Sequence, residues 1–183
     1  VLSGGIGYTW GVTPTMKNPA MPSLTRRQVE SLSLVARLLA SESIRVRHSA
    51  SAVTASFETK SRVLTLPVWK SMNGDTYDML VAHEVAHAVF NDHTLELNLP
   101  ATAHEYVAYA IQLSSLPEHA RTEIGVPDTK APASQLLAFS YFLMLSDPER
   151  FGLMAWEHFS RAENGCSFLH KISERKVHFP PPS

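Results

Sequence analysis

The chain has 183 residues, enough to bury a real hydrophobic core within one domain. Its composition, 44% hydrophobic and 18% charged, is ordinary for a soluble globular protein, and no apolar run approaches a membrane span. A net charge of −1 leaves no basic footprint for nucleic acid or anionic membrane, and a lone cysteine, Cys166, excludes an internal disulfide framework and a cysteine-based zinc site.

Residues 1–22, with Gly4, Gly5, Gly7, Pro14, Pro19 and Pro22, read as an irregular leader. The start at Val1 rather than Met is compatible with a removed signal peptide and a secreted or periplasmic location; the compartment is otherwise unconstrained. Thr25-Arg-Arg-Gln28 fits a capping box, and Val29, Leu32, Val35, Ala36 and Leu39 keep helical spacing to about Ala40. This helix faintly resembles the first helix of a helix-turn-helix regulator. The alternating β-branched residues that follow supply no recognition helix, so DNA binding is not expected. Three strands are expected at Ile44–Arg47, Val53–Phe57 and Arg62–Leu66, the last stopped by Pro67 as at a sheet edge.

After a turn at Ser71–Gly74, Asp75 or Thr76 caps a helix to about Phe90 that holds His83-Glu84-Val85-Ala86-His87. Positions four apart lie on nearly one helical face, so both imidazoles can reach one Zn²⁺. Glu84 lies about 100° round from His83, placed to take a proton from water without being a ligand. The frame is apolar, with no proline, no glycine and, with histidine counted neutral, no charge other than Glu84 from Leu80 to Phe90. Burying such polar groups costs heavily unless they are paired or bind a metal.

Pro100 opens a helix to about Leu116, bounded by Pro117, and a helical turn fits Glu118–Ile124 in the connection that follows. Gln135–Leu145 reads as a strongly apolar helix, and Asp147-Pro148-Glu149 opens another to about Phe159. Asn164-Gly165 suits a turn, Phe168–Ile172 a last helix, and Pro180–Pro182 a mobile tail. The whole is expected to be one α+β domain. In it residues 23–67 form a helix plus a small antiparallel or mixed sheet that packs on the active-site helix, 75–116 hold the metal-site helices, and 133–173 form a helical C-terminal part.

A catalytic zinc ordinarily takes three protein ligands and keeps a position for water. Glu105 is one candidate for the third, an acidic residue on the following helix that an antiparallel packing would bring to the metal. Thr102-Ala-His-Glu105 also reads as a capping box, which would leave Glu105 on the helix terminus unless Asn98 caps instead. His93, ten residues after His83, is the rival, but the sharp turn it needs would ask for glycine where Phe90 stands. Glu105 is the preferred choice. His104 points elsewhere at that spacing.

These residues carry a resemblance. Asp78–Val89 with Glu105 resembles the zincin metallopeptidase superfamily and, within it, the gluzincins. With His104-Glu105-Tyr106-Val107-Ala108-Tyr109 and Asp147-Pro148-Glu149-Arg150-Phe151 added, the chain is similar to a bacterial family of unknown function that carries a candidate metallopeptidase site. The resemblance implies a minimal zincin-like fold, Zn²⁺ on His83, His87 and Glu105, Glu84 as general base, and a peptide or protein substrate. In that superfamily an edge strand in this position pairs with extended substrate, and Arg62–Leu66 is either such a strand or a plain sheet strand. One departure is informative. Many gluzincins carry an acidic residue one turn after the third ligand to orient a metal-bound histidine, and here Tyr109 stands there, so orientation must come partly from elsewhere.

The expected activity is therefore zinc-dependent hydrolysis of a peptide bond. Tyr106, Tyr109, Tyr141, His119 and His158 are candidates to stabilise the oxyanion, none with a motif behind it. The alternative is a non-catalytic zincin-like interaction domain whose metal is structural or absent.

Overall fold

The computed structural model describes residues 44–49, 55–67, 74–94, 98–125, 138–161 and 165–180. The leader and the helix expected at 25–40 lie outside them. Among the described residues three strands, β1 (Arg45–Ser49), β2 (Ser56–Glu58) and β3 (Val63–Pro67), precede six helices: α1 (Gly74–Thr94), α2 (Ala101–Ser115), α3 (Glu118–Glu123), α4 (Tyr141–Ser146), α5 (Pro148–Phe159) and α6 (Gly165–Ser173). The architecture is α+β, as expected, and the sheet is mixed.

β3 is the middle strand. It pairs parallel with β1, Arg45 opposite Val63 through Ser49 opposite Pro67, and antiparallel with β2, Ser56 opposite Thr65 through Glu58 opposite Val63. Of the two readings of this segment, the pairing excludes the substrate-binding edge strand and leaves the plain sheet strand. Pro67 ends β3 without exposing a side of it, and β1 and β2 form the edges among the described residues. Leu64 and Leu66 alternate inward on β3 and meet Tyr77, Val81, Val85 and Ala88 of α1, with Ile44 and Ala55 closing the cluster. The α1 residues recur every three or four positions, the stripe by which a helix lies on a sheet.

The opposite side of α1 packs on α2. Phe90 meets His104, His87 meets Glu105, His83 meets Tyr109, and Met79 clusters with Leu113 and Leu116, so the two helices run antiparallel. Covered by the sheet on one side and a helix on the other, α1 has to be apolar nearly all round. That accounts for the run of Ala and Val through the motif.

α2 is covered on its far side as well. Ala103, Tyr106, Val107 and Tyr109 join Phe139, Met144, Phe151, Ala155, Phe168, Ile172 and Phe179 in a second core. α2 therefore lies between the motif helix and the C-terminal helices. A smaller cluster at the end of α2, Leu113, Leu116 and Ala120, is closed by Arg121, which donates to the Leu116 carbonyl and lies 5.0 Å over the Trp156 ring.

Helix boundaries differ from expectation where side chains compete with the backbone. The helix expected over Gln135–Leu145 starts at Tyr141 among the described residues, because Ser140 Oγ accepts from the Leu143 N–H at 3.1 Å and caps it. Phe139, ahead of the cap, is buried in the core. Asp147 caps α5 as expected, Oδ1 accepting from Arg150 N–H at 3.0 Å with Pro148 in the first turn. Among the described residues the last helix spans Gly165–Ser173, taking in residues ahead of the expected Phe168.

Candidate metal centre

α1 carries His83 and His87 one turn apart, and both rings face α2. Their Nε2 atoms lie 3.1 Å apart. From α2 the Glu105 carboxylate turns one oxygen to each: Oε2 lies 3.5 Å from His83 Nε2 and Oε1 3.4 Å from His87 Nε2. Ligands held at ordinary zinc distances in a tetrahedron lie about 3.3 Å from one another. Glu105 meets the two histidines with different oxygens; taking one ligand atom from each residue, the three lie within 4.8 Å of one another, and these side chains form a group that could hold a metal ion.

The electrostatics point the same way. Glu105 Oε2 is closed to solvent and has no hydrogen-bond partner among the described residues. A buried carboxylate oxygen so placed calls for a cation. Burial alone would raise the Glu105 pKa, but the two imidazoles outweigh it and hold the carboxyl well below its usual range. Burial likewise lowers the His83 pKa, and Glu105, helped by Glu84 and Gln112, overturns that and raises it. The pocket is thus anionic enough to hold positive charge among apolar neighbours.

Glu105 can serve as a ligand because it is not a cap. α2 starts at Ala101 after Pro100, whose carbonyl accepts from the Ala103 and His104 N–H groups, and no side chain caps it. The capping box at Thr102 is absent, and so is the Asn98 cap weighed against it; Asn98 adopts φ 47° ahead of Pro100. Glu105 therefore stands in the helix body.

The turn that the His93 alternative requires is absent. α1 does not turn after Phe90 but continues to Thr94, whose Oγ1 donates to the Phe90 carbonyl at 2.7 Å. On a continuous helix His93 lies about 9 Å further along the axis than His87.

Glu84, half-buried on α1, lies close enough for its charge to act on His83. His104 sits beside the cluster with its ring 5.3 Å from Phe90. Burial first, then His87, brings its pKa down to about 4, against the opposing pull of Glu105, so it stays neutral at physiological pH.

Of the oxyanion candidates, one reaches the site: Tyr109, whose ring stands edge-on to His83 at 4.8 Å. Tyr106 and His158 are bound to each other in the second core, hydroxyl to Nδ1 at 2.7 Å. Tyr141 packs partly buried against that core, and His119 is exposed, 4.0 Å from Asp75.

Sequence reasoning missed Gln112. This buried residue lies 2.6 Å from His83, its Oε1 facing the ring Nδ1. The available signal was a polar residue within the apolar run of α2, seven positions after Glu105 and hence two turns along one face.

An α+β domain with a His–His–Glu group able to hold a metal, shared by two antiparallel helices, is the class that fold and site define. Residues 38–181 match the family model described as DUF6639, a family of unknown function, and the chain belongs to that family. No curated protein and no solved structure matches it.

Proposed function

We propose that this protein is a zinc-dependent peptidase of the gluzincin type, acting on a peptide or protein substrate. The observation that carries the reading is the convergence of His83, His87 and Glu105, with one ligand atom from each within 4.8 Å of the others and Glu84 next to the first of them. Two imidazoles and one carboxylate suit zinc, and three protein ligands leave a fourth position for solvent. When bound, the ion acidifies water and polarises the scissile carbonyl.

The chain's own residues supply the rest. His83 and His87 present Nε2 lone pairs and Glu105 presents a carboxylate oxygen. A structural zinc needs no general base, so an intact Glu84 favours catalysis. As water oxygen bonds to the carbonyl carbon, the Glu84 carboxylate takes the water proton. When the carbon–nitrogen bond breaks, the same carboxyl returns that proton to the leaving amine.

Glu84→Gln keeps the shape and removes the base. Zinc content should stay near that of the wild type while cleavage of a broad peptide library falls by about 10²–10⁴-fold. Unchanged cleavage would remove Glu84 from the mechanism. A wild-type protein that binds zinc yet cleaves nothing in the library would favour the non-catalytic interaction domain.

A further inference from the structure

We infer that Gln112 is the positioning residue that makes His83 a metal ligand, by fixing the proton of its imidazole on Nδ1. The inference rests on the metal reading above and concerns the orientation and protonation of one of its ligands.

A neutral imidazole has one N–H and one lone pair, and a lone pair alone can bind a cation. The hydrogen bond made by one nitrogen decides which role the other takes. His83 Nε2 faces His87 and Glu105, while Nδ1 lies 2.6 Å from Gln112 Oε1. A carboxamide oxygen accepts and cannot donate, so Nδ1 carries the hydrogen and Nε2 presents its lone pair to the site. Both groups are buried, which leaves little room for solvent to take over the role of Gln112.

The ring is also held against rotation. Glu105, Tyr109 and Gln112 follow one another along one side of α2, so a single helix grips His83 at three points. Glu105 faces Nε2, the Tyr109 ring stands edge-on to the imidazole, and Gln112 takes Nδ1. This is the support that Tyr109, in the place of an acidic residue, cannot itself supply. An amide orients the ring without burying a second negative charge beside Glu105. A carboxylate at the same position would orient it equally and make the imidazole a stronger donor.

The test compares the wild type with Gln112→Leu, which removes the acceptor, and Gln112→Glu, which restores one. Zinc affinity is measured by chelator competition, and the His83 tautomer by the ¹⁵N shifts of its ring in the metal-free protein under mildly alkaline conditions. Gln112→Leu should bind zinc about 10–100-fold more weakly and lose the Nδ1–H signature. Gln112→Glu should keep that signature and bind at least as tightly as the wild type. A leucine variant with wild-type affinity and tautomer would overturn the inference. So would a wild-type spectrum with the proton on Nε2, a measurement that holds even if the leucine variant does not fold. Wild-type protein that binds no zinc would overturn the metal reading itself, a failure visible before any variant is made.

Discussion

Gly152 of α5 sits directly against the Tyr109 ring of α2. A methyl group at Gly152 would lie 2.5 Å from Tyr109 Cδ1 and 2.9 Å from Cε1. Tyr109 cannot simply withdraw, because it is buried with its other neighbours in place, His83 at 4.8 Å and Phe151 at 6.0 Å. The close approach of α5 to α2 thus helps to set where His83 stands.

Gly152→Ala should therefore destabilise the fold. In a helix interior alanine is ordinarily favoured over glycine by about 0.5–1 kcal/mol. Overpacking at a buried ring costs about 1–3 kcal/mol and should outweigh that gain. Urea unfolding should show a lower midpoint with an unchanged slope. A midpoint at or above the wild type would mean that α5 yields and that this contact positions nothing.

Glu105→Ala should lose zinc, while His93→Ala should keep it. Excess zinc at about 100 times its dissociation constant raises the stability of a one-site protein by about 2.7 kcal/mol. Thermal unfolding with and without zinc should show that shift in the wild type and in His93→Ala, and its absence in Glu105→Ala. The reverse pattern would give the third position to His93.

The buried pair in the second core gives an acid-side dependence. Burial, then Arg161, lowers the pKa of His158, with Glu157 opposing. Its Nδ1 faces the Tyr106 hydroxyl, and Phe139 and Phe168 stand against the ring at 5.9 and 4.8 Å. A histidine whose folded pKa is depressed binds its proton more readily in the unfolded chain. Its contribution is thus complete above the unfolded value of about 6.5 and declines as pH falls from there toward the folded value. His158→Asn, which keeps an acceptor for Tyr106 but does not titrate, should lose less stability than the wild type between neutral and mildly acidic pH in urea unfolding. Parallel declines would show that His158 takes no part in it.

Much of the site was legible because its information is local. His83 and His87 share a face through the helical period alone, and the apolar run around them announces a helix enclosed on both sides. The order and type of the described elements follow from the same periods, and from prolines and caps such as Asp147 with Pro148.

What the tertiary structure decided are relations between segments that no local period encodes. β3 became the middle of the sheet because β1 and β2 pair on either side of it, whereas a terminal proline in the sequence suits an edge. Glu105 became the third candidate ligand because α2 starts at Ala101 and packs antiparallel on α1, which carries the carboxylate past the helix terminus and onto the imidazoles. Gln112 and Gly152 gained their places the same way, through contact with residues far off in the chain. Spacing along one helix is set by backbone geometry, but the partner of each face is set by how whole helices bury one another.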